Sequence, residues 1–280
     1  MSSLPLYFPQ DFSLSQALLC ANLVESAYDQ YTQWQTQGKP RRPQDFTWQT
    51  PDMGGWRFSA PIWSILSELH FLNESEPFGF AARDPQGEVY LVFRGTESVQ
   101  DWLDDLDADQ QTYPWQPGLG SVHAGFLKLY RSLRDLALQA VDSLQPGGQL
   151  WSCGHSLGCA LSSLAVLDLR ERYPDLPLQH YNFASPRLAA PSFADSYNGL
   201  NVPTYRVVND SDVVPEVPPG VTGGWLYQHI GLAVTFTASY ASIEDNHSMA
   251  DCYLYALENP NAPMRQGVTV AVPEARVAVT

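Results

Sequence analysis

Within "LSQALLCANLVESAYDQY" apolar side chains recur at three- and four-residue steps: Leu14, Leu18, Ala21, Val24, Tyr28 and Tyr31. That period predicts an amphipathic helix with these six on its buried face. Ser13, followed three residues later by Gln16, supplies a capping box at its start. The pattern breaks in the Pro- and Gln-rich stretch 35–51, which reads as loop. Next comes "FGFAARDPQGEVYLVFRG", two apolar runs around Asp84-Pro85-Gln86-Gly87. Pro at the second position and Gly at the fourth are turn chemistry, so a β-hairpin is expected here.

Helical spacing returns with Phe126, Tyr130, Leu133, Ala137, Ala140, Val141 and Leu144, and stops at Pro146-Gly147-Gly148. A short strand in "QLWSC" leads to a helix through "LGCALSSLAVLDLRERY" that Pro174 ends. Strand-like "LQHYNFAS", "TYRVVN" and "GLAVTFT" follow, and a last helix is expected over 248–258. Strands alternating with helices predict one α/β domain over residues 1–280 rather than separate domains. Residues 260–280 carry four Pro or Gly residues and no periodicity, which predicts a loosely packed tail.

Where "QLWSC" gives way to the helix stands Gly154-His155-Ser156-Leu157-Gly158. A serine between two glycines at a strand-to-helix junction fits a bend so sharp that only small neighbours are tolerated, with the serine oxygen held out at its top. A serine hydroxyl is a poor nucleophile at neutral pH, so it needs a base to take its proton and an acid to orient that base. If the setting is that of an α/β-hydrolase, these follow in the order Ser, then Asp or Glu, then His. Asp210 and Asp212 come after "TYRVVN", at the carboxyl end of a predicted strand where open α/β sheets gather their catalytic groups. The histidines beyond them are His229 and His247.

The bulk numbers narrow the function without changing the fold. With 280 residues, 44% of them hydrophobic, the chain can bury a large core. Its formal net charge of −15 argues against nucleic acid or an anionic membrane surface as partner. No apolar run approaches the ~18 residues of a membrane span. Cys20, Cys153, Cys159 and Cys252 show no C-x-x-C spacing, so no metal site or redox motif is indicated and a reducing compartment is expected. "MSSLPLYFPQDFSLSQ" has neither a basic start nor an apolar run before Asp11. That predicts no secretory signal and a cytoplasmic location, with a secreted mature form as the alternative. No cofactor is expected, and the oligomeric state is not legible.

Eight segments in order resemble the class 3 lipase family of α/β-hydrolases: "VFRGTES", "DWLDDL", "VHAGFLKLY", "GHSLG", "NFASPRLA", "DVVPEVPP", "YQHIG" and "HSMADCY", over roughly 80–258. The resemblance implies a mixed, mostly parallel central sheet flanked by helices, with a helical lid. It implies Ser156 as nucleophile, Asp212 rather than Asp210 as acid, and His247 as base. Thr96 and the backbone N–H of Leu157 would be the oxyanion donors. The lid segment is more acidic than the family pattern, and Cys159 stands where relatives carry a further glycine.

Trp102, Leu103 and Leu106 fall on one helical face opposite Asp101, Asp104, Asp105 and Asp107. Residues 97–110 are therefore expected to form a helical cover whose apolar side faces a cleft. His155 is expected to point away from the nucleophile. His123 and His229 are expected to be packed structural histidines, and Arg94 and Arg187 to anchor loops. The leading reading is a serine carboxylester hydrolase acting on lipid acyl esters met at a lipid–water interface. The alternatives are a soluble esterase for small or aromatic acyl esters, and a catalytically silent fold used for binding.

Overall fold

The structure, a computed structural model, describes Pro9 and residues 11–64, 75–96, 98–104 and 108–260. Leu106, Asp105, Asp107 and the expected tail beyond Pro260 lie outside the described residues. In chain order the helices are α1 (Leu14–Thr36), α2 (Val99–Asp104), α3 (Ala124–Ser143), α4 (Leu157–Arg172), α5 (Pro191–Asn198), α6 (Ile243–His247) and α7 (Tyr255–Glu258). A π-helical turn, Met249–Leu254, joins the last two. The strands are β1 (Arg57–Phe58), β2 (Ile62–Trp63), β3 (Pro77–Arg83), β4 (Val89–Phe93), β5 (Gln110–Thr112), β6 (Ser121–His123), β7 (Leu150–His155), β8 (Leu178–Phe183), β9 (Thr204–Asn209), β10 (Val221–Thr222), β11 (Trp225–Leu226) and β12 (Leu232–Phe236).

The central sheet runs β1-β3-β4-β7-β8-β9-β12, with β2 also paired to β3. From β4 to β12 every neighbouring pair is parallel, while β1, β2 and β3 add antiparallel pairings at the other end. This is the mixed, mostly parallel sheet expected of an α/β-hydrolase. Parallel neighbours need crossovers, which α3, α4 and α5 supply. Residue alternation along β4 shows the layering. Val89, Leu91 and Phe93 join the cluster containing α3, α4 and α5, and Tyr90 and Val92 join the cluster beneath α1 and α7.

The hairpin turn forms as its residues predict, with the Gly87 N–H donating to the Asp84 carbonyl at 3.2 Å. The predicted stripe of α3 is buried throughout, Leu144 included. On α1 the expected face is turned. Ser13 Oγ does accept from the Gln16 N–H at 3.2 Å. The buried line, however, runs through Ala17, Cys20, Ala21, Val24, Ala27 and Trp34, and Leu14, Leu18, Tyr28 and Tyr31 are half-buried at its margin. Small side chains let this helix lie close on the sheet, a preference that the larger apolar residues hide in the periodicity.

α4 shows no polar face because residues from Leu157 to Leu169 are all buried. The final helix starts earlier than expected and is broken into α6, a π turn and α7. Among the described residues of the expected cover, Val99–Asp104 are helical and Gln110 already begins a strand. His229 is not in a strand, since β12 starts at Leu232.

Candidate active site

Parallel strands deliver their carboxyl ends to one edge of the sheet, and the loops leaving that edge carry the candidate residues. Ser156 ends the bend between β7 and α4 with φ 56° and ψ −129°, a left-handed conformation that a side-chain-bearing residue seldom adopts. Its flanking glycines are required by space. A Cβ on Gly154 would lie 2.3 Å from the Gly158 carbonyl oxygen, and one on Gly158 would lie 2.5 Å from the Arg94 carbonyl oxygen. We therefore expect Gly158→Ala to destabilise the fold by about 2–3 kcal/mol, because backbone on both sides must move apart. Thermal unfolding of the variant checks this, and an unchanged Tm would show that the bend has slack.

Asp212 and His247 meet at this edge. His247 Nδ1 and Asp212 Oδ2 are 2.8 Å apart, and both residues are almost fully buried. The carboxylate is oriented by two further donors, the Tyr253 hydroxyl at 2.7 Å to Oδ2 and the Val214 N–H at 3.0 Å to Oδ1. Burial and the neighbouring Asp212 push the Tyr253 phenol far above its ordinary value, so it stays a donor. Asp210 lies elsewhere, accepting from the Thr237 hydroxyl at 3.1 Å. Asn209 ties the loops together: its Nδ2 donates to the Asn246 carbonyl at 3.1 Å, just before His247.

Seven buried side-chain polar atoms lack a partner among the described residues, and two of them are Ser156 Oγ and His247 Nε2. Buried orphans are costly, so two at one sheet edge mark a place shaped for chemistry. The Ser–His hydrogen bond is not made in this form, and such bonds commonly tighten only around substrate.

His155 makes no hydrogen bond to Ser156 among the described residues and is held on both ring nitrogens. Its Nε2 lies 2.9 Å from the His247 carbonyl and its Nδ1 lies 2.7 Å from the Tyr28 hydroxyl. A carbonyl can only accept, so Nε2 carries the hydrogen and Tyr28 donates to Nδ1. The same Tyr28 oxygen accepts from the Gly95 N–H at 3.0 Å, beside Thr96. Burial, and then the adjacent His247, hold the His155 pKa far below its usual value, so this ring is neutral. Sequence periodicity assigned Tyr28 to a packing face, and nothing local signalled a contact 127 residues away.

Arg94 is fully buried against Glu76 at 2.7 Å, with Tyr31 and Phe78 on its faces, and donates to the Gly95 carbonyl at 2.6 Å. It anchors the loop that carries Thr96. Leu157 is the first residue of α4, where helix geometry leaves N–H groups without intrahelical partners.

A cavity of about 270 Å³ opens here, lined by Thr96, Val99, Tyr28, His155, His247 and Met249 and edged by Glu25 and Glu244. Burial, then Asp29 and Asp251, push the Glu25 carboxyl up to about 7. Trp102 of α2 is 1% exposed, its ring stacked 6.1 Å from Phe126, and Leu103 packs half-buried on the same cluster. Asp101, Asp104 and Asp109 are exposed.

The other candidates lie outside this cluster. His229 Nε2 is 2.9 Å from the Pro215 carbonyl. His123 caps α3, its Nδ1 accepting from the Gly125 N–H at 3.1 Å. Arg187 fixes the loop at Glu216, with 2.7 Å to Oε2. No group of residues suited to holding a metal ion occurs among the described residues.

Residues 90–222 match the family "Lipase (class 3)". A lipase of Rhizomucor miehei is 34% identical over 149 residues, 51% of this chain and 41% of that one. A secreted mono- and diacylglycerol lipase of Fusarium solani is 30% identical over 152 residues, 53% and 44% of the two chains. The matches thus span less than half the length of these relatives. The solved triacylglyceride lipase of Rhizomucor miehei superposes with a TM-score of 0.59 over 81% of each chain, at 26% identity. The family match covers the strand–bend–helix around Ser156 and the Asp212 loop and ends before His247. Over residues 90–222 this chain is thus similar to the class 3 lipases, and its fold is similar to that of the Rhizomucor miehei enzyme.

Proposed function

We propose that the chain is a serine carboxylester hydrolase that cleaves acyl esters of lipids. The observation that carries this reading is the buried His247–Asp212 hydrogen bond, with His247 Nε2 and Ser156 Oγ left unpartnered at the strained bend. Ser156 Oγ attacks the ester carbonyl as His247 Nε2 takes its proton, and Asp212 stabilises the imidazolium. The N–H groups of Thr96 and Leu157 donate hydrogen bonds to the carbonyl oxygen as negative charge develops on it, each lowering the barrier by roughly 3–4 kcal/mol. Collapse expels the alcohol, which leaves with the proton from His247. Water then repeats the sequence on the acyl-enzyme and releases the acid.

The α2 segment acts as lid. The cavity beside His247 is bounded by Val99 of α2, so a long-chain acylglycerol requires α2 to move. Exposing the Trp102 side chain to water costs roughly 4–6 kcal/mol at 25 cal/mol per Å², so the lid stays shut unless its inner face meets another apolar surface. The acidic outer face favours neutral surfaces. Hydrolysis of a long-chain ester should therefore be faster in neutral than in anionic mixed micelles, and added salt should narrow the gap. A preference for anionic micelles at low salt would overturn the lid assignment.

A series of p-nitrophenyl esters of rising chain length, run beside an emulsified triacylglycerol, tests the substrate class. Cleavage of short soluble esters alone would favour the small-ester alternative. The four free, buried cysteines support a reducing compartment, whereas some relatives carry the word secreted in their names. No helix among the described residues is long and apolar enough to cross a membrane.

A further inference from the structure

We propose that the β10–β11 hairpin is a second lipid-docking surface, inserting Val221, Trp225 and Leu226 into a neutral interface beside the lid. The proposal rests on the lipid-ester reading. These three side chains are 72%, 38% and 54% exposed, large values for apolar groups with no core to join. The register pairs Val221 with Leu226 and Thr222 with Trp225, which sets the first pair on one face of the ribbon and Trp225 on the other. Both faces are therefore apolar. Gly223 and Gly224, at φ 57° and 84°, close the tight turn at the tip.

The base of the hairpin is firm and sits against the lid's own stem. The Tyr227 N–H donates to the Gly220 carbonyl at 2.9 Å, and its hydroxyl donates to the Ala108 carbonyl at 2.8 Å. Gln110 Nε2 donates to the Leu226 carbonyl at 2.7 Å. The Arg187 N–H holds the Val217 carbonyl at 2.8 Å. Since Gln110 pairs with His123 at the start of α3, and Asp212 opens the same loop, the hairpin lies at the edge of the sheet that carries Ser156.

Charge identifies the occupant. From Val217 to Ile243 the chain has no Asp, Glu, Lys or Arg, although its net charge is −15. Such a gap lets the hairpin of an acidic protein enter a neutral lipid surface without desolvating a carboxylate of its own. Two such acidic copies repel, and two two-residue strands fall far short of the ~800 Å² per partner that a stable dimer buries. Tryptophan with leucine and valine at a protruding tip is the composition that settles at the boundary between headgroups and acyl chains.

The test is flotation with dioleoylphosphatidylcholine vesicles, read without turnover. The double variant Trp225→Ser/Leu226→Ser should partition at least tenfold more weakly than the unaltered protein, and Trp225→Phe should retain most of the binding. Turnover of soluble p-nitrophenyl acetate should stay within twofold, which also certifies the fold. Undiminished flotation of the double variant overturns the proposal. So does self-association of the unaltered protein that the double variant abolishes, since the occupant is then a second copy. A protein that floats through this hairpin yet cleaves only soluble esters supports the docking surface and overturns the lipid-ester reading, so the two failures are distinguishable.

Discussion

Ser156→Ala should lower p-nitrophenyl ester turnover by at least about 10³-fold with the fold intact. The size follows from the chemistry, because without Oγ no acyl-enzyme can form and only binding and oxyanion stabilisation remain. The intact fold follows from the structure. Ser156 Oγ makes no hydrogen bond among the described residues, so its removal strands no buried partner. Alanine occupies less space than serine at a fully buried position, and the strained backbone is held by glycines it does not touch. Turnover, fluorophosphonate labelling and thermal unfolding measure the three consequences together. Near-normal turnover with unchanged circular dichroism would refute the assignment.

The second large effect separates two histidines. His247→Ala should remove activity by about 10³–10⁴-fold, since the proton from Ser156 then has no acceptor. Asp212 would keep the Tyr253 hydroxyl and the Val214 N–H, so the loss of stability should be confined to about 1–2 kcal/mol. His229→Ala should do the reverse in kind. It gives up the contact with the Pro215 carbonyl, costing about 1 kcal/mol, and leaves most turnover in place. Turnover and thermal unfolding on both variants decide the matter. A dead, stable His229→Ala beside an active His247→Ala would reverse the assignment of the base.

Several parts of this site were legible because they rest on chemistry within a few residues. Glycine spacing marks the bend at Ser156, since each missing Cβ answers a local clash. The order of Ser156, Asp212 and His247 is readable because each follows a recognisable strand or precedes a helix. The choice of Asp212 over Asp210 came from the family resemblance, and in the structure Asp212 is the one beside His247. The lid was legible in part. Its apolar face at Trp102 and Leu103 is inward, but at Gln110, the far end of the expected helix, the chain pairs with Ser121–His123 as a strand instead. Pairing with a distant strand outweighed local helical spacing.

The sequence by itself determined the elements and their order: the capped start of α1, the hairpin turn at Asp84–Gly87, the stripe on α3 and the bend at Ser156. Local periodicity and turn chemistry act over one or two turns of chain, so they are written in consecutive residues. Only the tertiary structure decided which face of α1 meets the sheet, that Tyr28 locks His155 and Gly95, that Tyr253 and Asn209 brace the Asp212–His247 pair, and that an uncharged hairpin packs against Ala108 and Gln110. These depend on contacts between residues tens to more than a hundred positions apart, and the free energy of such contacts comes from burial and from satisfying buried polar groups after the sheet has assembled.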